Sequence, residues 1–347
     1  MFAKNLKYYR LKKNMTKKEL AAKVGVSPMA ITYYEKGDRY PEMDIVKKLA
    51  STLDINVVDF ISARNKGLVF KHEEFRKNSR MSKMRQEYIR ESVEEYFSRF
   101  YDAVEMLGGD VLPDAPKIRI LKLSEDIEKN GKLLRRYLGI SDQCPVGNLV
   151  EIIENKGILV YMFDSDDPDF SGMNGTVNRR PYIVVNKNMT AERIRTTIVH
   201  ETSHFAFDWP ANMDDKTIEK TATAIGGAFL LPKEDAIREL GLRRSAITKD
   251  MILVCKEYGI ALSLLVVRAR VCGIISETVY RDFFIALNST DGGRRNETSY
   301  IEKEESHLFE QLVYRAVNEE GISIQKGAEL LKVPYDVVAG YCGFAGV

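Results

Sequence analysis

At 347 residues, 44% of them apolar, the chain is long enough for two or three domains with sizeable cores. Its 52 Lys and Arg against 50 Asp and Glu leave a net charge of +2, which excludes a uniformly basic or acidic polyelectrolyte. Four scattered cysteines (Cys144, Cys255, Cys272, Cys342) form no CxxC pair and read as reduced, mostly buried thiols of a cytoplasmic protein. No apolar run approaches bilayer-spanning length, so no membrane partner is expected, and the charged amphipathic start predicts no secretory leader.

The charge is unevenly spread. Residues 1–64 hold 13 Lys or Arg against 7 Asp or Glu, a net +6, so the remainder carries about −4. A basic module on a slightly acidic body is an electrostatic footprint for phosphate. The segment predicts five short helices. The first runs from Phe2 to Lys13. The second opens at Thr16, which forms a capping box with Glu19, and ends before Gly25. Ser27 as N-cap and Pro28 as first residue open the third, which stops at Gly37. Two more follow near Met43–Leu53 and Val57–Ile61.

These pieces resemble the helix-turn-helix of the Cro/repressor (XRE) family across the whole of residues 1–64. The matching elements are Thr16-x-x-Glu19-Leu20-Ala21, Gly25-Val26-Ser27, Tyr34-Glu35-Lys36-Gly37 and Lys47-Lys48-Leu49-Ala50. The resemblance implies a duplex DNA operator as partner, with the start of the third helix in the major groove. Pro28, Met29, Thr32 and Tyr33 then stand at the base edges and Lys17 and Lys36 at phosphates, with Ser27 in the same DNA-binding set. The alternative is a module that keeps this fold but docks or dimerises with protein.

Residues 65–112 predict a helical connector. A basic, aromatic run over 67–76 precedes a long amphipathic helix from Met81 to Met106, ended by Gly108-Gly109-Asp110. Its stripe (Tyr88, Val93, Tyr96, Phe97, Phe100, Tyr101) reads as core or dimer packing. His72 here, and His307 downstream, have no metal partners at ligand spacing.

The chemistry lies in residues 113–290. Ile183-Val184-Val185 reads as a strand and Asn186 to Asn188 as its turn. Thr190 then caps a largely apolar helix with Glu192 in its first turn. That helix carries His200-Glu201-Thr202-Ser203-His204, an H-E-x-x-H motif that uses two of the four histidines in the chain. At i, i+4 both imidazoles share one helix face and can hold one Zn²⁺ per chain. A catalytic zinc site takes three protein ligands and leaves a position for water. Glu219, on the next helical run, is the candidate third ligand. Ala222, Gly226 and Gly227 predict a close approach of that helix to the first.

His200 to His204, with Glu219-x-x-Ala222 running on to Phe229-Leu230-Leu231-Pro232, resembles the ImmA/IrrE family of bacterial zinc endopeptidases. Leu133-Leu134-Arg135-Arg136, Cys144-Pro145-Val146-Gly147 and Asp169-Phe170-Ser171-Gly172-Met173-Asn174-Gly175 extend the resemblance over about residues 120–240. Ile225 and Gly226 depart from it, where phenylalanine and alanine are usual. The family implies a zincin-like domain with a small sheet, Glu201 as the general base that is not itself a ligand, and a repressor or antitoxin protein as substrate. The sequence identifies no oxyanion-stabilising group; Tyr182 and Arg195 merely lie near the motif in the chain. The strand Pro181–Val185 is expected at a sheet edge, where an extended substrate can add. Residues 291–347 predict a helical tail with a second helix-turn-helix-like pair.

The fold expected is therefore α+β, mostly α: a five-helix DNA-binding domain, a zincin-like peptidase domain with its H-E-x-x-H helix, and a helical C-terminal region in a cytoplasmic homodimer. The rival is a non-cleaving DNA-binding regulator or antitoxin whose peptidase-like core senses metal or ligand.

Overall fold

The computed structural model describes residues 1–62, 64–65, 67–72, 81–290, 293 and 297–343. Residues 73–76 of the basic, aromatic run over 67–76 lie outside them, as do residues 291, 292 and 294–296. The chain is mostly α with small sheets, and divides into two compact units. One joins Met1–Val111 to Phe309–Val347, and the other is Leu112–Leu308.

In the first unit, α1 (Phe2–Lys12), α2 (Lys17–Val24), α3 (Pro28–Lys36) and α4 (Met43–Leu53) surround a core of Leu6, Leu20, Ile31, Leu49, Leu53 and Phe60. The local signals act as expected. Thr16 and Glu19 cap each other across the start of α2, Ser27 Oγ accepts Ala30 N–H at 3.1 Å, and Gly25 and Gly37 end their helices at φ +79°. The fifth helix is only a four-residue 3-10 turn, Val57–Phe60. Asn56 and Asp59 cap it reciprocally, and Phe60 drops fully into the core. A short strand β1 (Phe70–His72) precedes α5 (Lys83–Met106).

The buried face of α5 is Ile89, Val93, Phe97, Phe100 and Val104, a helical stripe at steps of three and four. Lys7 pairs with Glu87 and Glu91 at 2.7 and 2.9 Å, tying α1 to it. The tail helices α14 (Leu308–Asn318), α15 (Ile324–Leu331) and α16 (Tyr335–Cys342) pack in this same unit. Phe309 stands 5.3 Å from Tyr96 and 5.6 Å from Phe100 between ring centres, and Lys332 pairs with Glu95 at 2.8 Å.

The second unit opens with β2 (Leu121–Lys122), α6 (Ile127–Tyr137), α7 (Leu149–Asn155) and β3 (Leu159–Phe163). The hairpin β4 (Gly172–Val177) and β5 (Arg180–Asn186) follows, turning at Asn178 and Arg179, both at positive φ as a two-residue hairpin loop requires. Next come α8 (Ala191–Ala206), β6 (Phe207–Asp208), α9 (Asp215–Leu230), α10 (Lys233–Leu240), α11 (Met251–Tyr258), α12 (Leu262–Val271) and α13 (Glu277–Ser289). The short β2 and β6 pair in parallel.

The strand expected at an edge is not one. β5 pairs antiparallel with β4 through Gly172↔Val185 to Val177↔Arg180, and parallel with β3 through Leu159↔Tyr182 to Phe163↔Asn186. Tyr182, Ile183, Val184 and Val185 are all fully buried, and a run apolar on both faces belongs to a covered, central strand. A substrate cannot add to it.

Residues 297–307 form a strap without regular structure, held by its own and opposing carboxylates. Glu297 accepts Ser263 N–H at 2.9 Å at the start of α12, and Glu304 accepts Leu149 and Val150 N–H at 3.0 and 3.2 Å at the start of α7. Ser306 donates to Glu154 at 2.5 Å. Helix starts carry unsatisfied N–H groups and positive dipole ends, so carboxylates seat there.

Candidate metal centre

The motif helix α8 is buried along most of its length. Its core face, Ile194, Ile198, Val199 and Phe205, packs under β5. Thr202 and Ser203, the two middle residues of the motif, are fully buried and satisfied by the helix itself, donating to Ile198 O at 2.7 Å and Val199 O at 2.9 Å. Thr190 is an extended N-cap residue without a side-chain cap. Glu192 faces the strap, accepting Ser299 Oγ at 2.8 Å and Tyr300 N–H at 2.5 Å.

On the opposite side the three expected ligands converge. His200 Nε2 lies 3.1 Å from His204 Nε2 and 3.2 Å from Glu219 Oε2, and His204 Nε2 lies 3.4 Å from Glu219 Oε1. A tetrahedral zinc with ligand bonds of 2.0–2.1 Å sets its ligands about 3.3–3.4 Å apart. Two imidazoles and one carboxylate at this spacing therefore suit one face of such a tetrahedron, and the donor set fits the ion. Among the described residues this is the one group of three or more His, Cys, Asp or Glu side chains close enough to share a metal.

Helix α9 brings Glu219 in. Asp214 caps its start, accepting Thr217 N–H at 3.0 Å, and Ala222 is fully buried. The two glycines act differently from expectation. A Cβ on Gly226 would meet Val199 at 3.8 Å, ordinary contact, so the position does not need glycine. A Cβ on Gly227 would press on Arg268 at 3.1 Å, so that glycine makes room for α12, not α8. The closer approach is at Gly172 on β4. A Cβ there would stand 2.6 Å from Thr197 Cγ2 and 2.8 Å from Val184 O, which lets β4 lie directly on α8.

Glu201 stands beside the three ligands. Its Oε2 accepts a hydrogen bond from Asn174 Nδ2 at 2.8 Å, and both residues are buried. The sequence missed Asn174 in this role, although it sits in the Asp169–Gly175 stretch. It also missed Thr223, whose Oγ lies 3.2 Å from His200 Nδ1 and donates to Glu219 O at 2.9 Å. Trp209, the one tryptophan of the chain, donates to His204 O at 3.1 Å, with ring centres 6.0 Å apart. Arg195 is not available to an oxyanion. Its guanidinium donates to Gly147 O at 2.9 Å and Val146 O at 2.8 Å and pairs with Glu304. Tyr182 is fully buried within the sheet.

The residues that the sequence assigns to DNA lie in the first unit. Ser27, Pro28, Met29, Tyr33 and Lys36 are exposed, and Thr32 is half-buried, on the side of α3 opposite the buried Ile31 and Tyr34. Their spacing makes one stripe of the helix. Lys17 is partly drawn inward, 3.5 Å from Glu35, which itself pairs with Arg10.

The Helix-turn-helix family model matches residues 6–60, and that of the IrrE N-terminal-like domain of the M78 peptidases matches residues 153–270. An uncharacterised HTH-type transcriptional regulator of Bacillus subtilis, YqaE, is 32% identical over 73 residues, 21% of this chain and 63% of the relative. An uncharacterised HTH-type transcriptional regulator of Methanocaldococcus jannaschii is 39% identical over 54 residues, 16% of this chain and 82% of the relative. The chain thus spans just under two thirds of the length of the first relative. Among the described residues no helix is long and apolar enough to cross a membrane. With the capped third helix, matched segments and motif helix in place, the chain belongs to the XRE-type helix-turn-helix proteins and carries an IrrE N-terminal-like domain of the M78 peptidase family.

Proposed function

We propose that this chain is a cytoplasmic, DNA-binding zinc endopeptidase that cleaves a protein partner, a transcriptional repressor or an antitoxin. The observation that carries the reading is the convergence of His200, His204 and Glu219 with Glu201 held alongside by Asn174 at 2.8 Å. A purely structural zinc site takes four protein ligands, usually with cysteine. Here the described residues supply three, and the next carboxylate is tied back by an amide.

His200, His204 and Glu219 would hold Zn²⁺. The chemistry a bound Zn²⁺ supplies is Lewis acidity toward a water and the scissile carbonyl. Glu201 takes the proton from that water as its oxygen bonds to the carbonyl carbon, then delivers it to the amide nitrogen as the C–N bond breaks. Asn174 keeps the carboxylate aimed while this happens.

The module at 1–64 places the chain on operator DNA, through the exposed stripe of α3 and as a homodimer. The second reading is a regulator that cuts nothing and uses the M78-like domain to sense metal or ligand. It is favoured by the relatives, which are named as transcriptional regulators and match only 73 and 54 residues of this chain. Co-expression of the wild-type chain, or of Glu201→Gln, with a neighbouring repressor or antitoxin gene separates the two. Cleavage by the wild type alone supports the peptidase. A partner left intact by both, with and without DNA damage, supports the sensor.

A further inference from the structure

We propose that Thr223 is the positioning residue that sets the tautomer of His200, so that Nε2 presents its lone pair to a divalent metal. The inference rests on the metal-site reading above and deepens it.

A threonine hydroxyl has one proton to give. Thr223 Oγ lies 2.9 Å from Glu219 O, the carbonyl one helical turn back, which can only accept. The hydroxyl proton is therefore committed there. The same oxygen lies 3.2 Å from His200 Nδ1. With its proton used, it can only accept from that nitrogen. In the neutral ring His200 then carries its proton on Nδ1, and its Nε2 is left as an acceptor. That Nε2 is the atom facing His204 Nε2 at 3.1 Å and Glu219 Oε2 at 3.2 Å. An N–H pointing at a second imidazole nitrogen and a carboxylate would block the ion, whereas a lone pair recruits it.

Geometry strengthens the assignment. Thr223 and Glu219 are one turn apart on α9, so one hydroxyl links the backbone of one ligand to the ring of another. Ring rotation of His200 and drift of α9 along α8 are opposed by the same contact. Partners of this kind on metal-ligating histidines change metal affinity by about 10- to 100-fold.

The test uses the full chain and Zn²⁺ alone, with affinity read by competition against a chromophoric chelator. Thr223→Val keeps the shape and removes the hydroxyl, and should weaken Zn²⁺ about 10- to 100-fold. Thr223→Ser keeps the hydroxyl and should stay within a few-fold of wild type. Long-range nitrogen–proton NMR of the metal-free protein should show His200 protonated on Nδ1 in the wild type and in Thr223→Ser. A wild-type proton on Nε2, or a folded Thr223→Val that binds Zn²⁺ as the wild type does, overturns the inference. If Thr223→Val fails to fold, the tautomer of the wild type still decides. If the wild type binds no Zn²⁺ at all, the metal-site reading falls by itself, and the tautomer measurement stands apart from it.

Discussion

Asn174 Nδ2, on β4, donates to Glu201 Oε2, on α8, at 2.8 Å, and neither residue has more than 8% of its surface exposed. Removing one partner of a buried hydrogen bond to a charged group costs more than the bond itself, because the other partner stays buried. Asn174→Ala is therefore expected to lower kcat/KM toward a cleaved partner by about tenfold or more, with Zn²⁺ content unchanged. Glu201→Gln should remove about 10²-fold or more of turnover while holding the same metal. Paired assays of turnover and metal content check both. Metal loss in either variant would place these residues among the ligands.

The ligand set predicts about one Zn²⁺ per chain. His200→Ala and His204→Ala should each strip it, since two remaining ligands hold metal poorly. Glu219→Ala should weaken it strongly. Elemental analysis after dialysis against chelator reads this directly. Full occupancy in the double-histidine variant would sink the site.

Glycine contacts predict opposite outcomes for two similar substitutions. Gly172→Ala drives a methyl to 2.6 Å from Thr197 and 2.8 Å from the Val184 carbonyl, and should destabilise by about 1–3 kcal/mol. Gly226→Ala meets Val199 at 3.8 Å and should be neutral or stabilising, since alanine is the better helix former by about 1 kcal/mol. Melting temperatures of the two variants should move apart. Equal shifts would mean that β4 and α8 have room to separate.

Burial pushes the Glu154 carboxyl up to about 7, against the ordinary 4.5, with the Ser306 hydrogen bond working in the opposite direction. The folded state thus holds this proton more tightly than the unfolded chain does. Its stabilising contribution is present below pH 4.5 and is lost as pH rises through about 7. Glu154→Gln should flatten that part of the fall in melting temperature between about pH 5 and 8. A slope identical to wild type would show that the strap does not sense this proton.

For DNA, Lys36→Ala should weaken binding to all sequences alike and reduce the salt slope by about one. Lys17→Ala should do less, because Lys17 already stands 3.5 Å from Glu35. Met29→Ala and Thr32→Ala should instead change which sequence is preferred. Binding titrations across salt and operator variants separate these. An absence of any complex at low salt would turn the module into a protein-docking piece.

What was legible in the sequence was local. The Thr16–Glu19 box, the Ser27 cap and the pairing of His200 with His204 all act within four residues, where helix geometry alone decides who meets whom. Glu219 was reachable because α9 is itself a strongly patterned helix. Asn174 was not. It meets Glu201 across 27 positions, and only the register of β4 on β5 puts it there. The edge assignment of β5 failed for a related reason, since a strand carries no mark of which neighbours will flank it. The strap was equally hidden, because its carboxylates find helix starts that lie far away in the chain.

Trp209 leans on His204 through its indole N–H and its ring. Since the chain has no other tryptophan, red-edge excitation isolates the emission of a single indole from that of 17 tyrosines. The molecule thus comes with an intrinsic optical probe within van der Waals reach of a candidate ligand. Filling of the centre, exchange of one ion for another and arrival of a partner chain can each be followed on the unlabelled protein, in real time, at one known point.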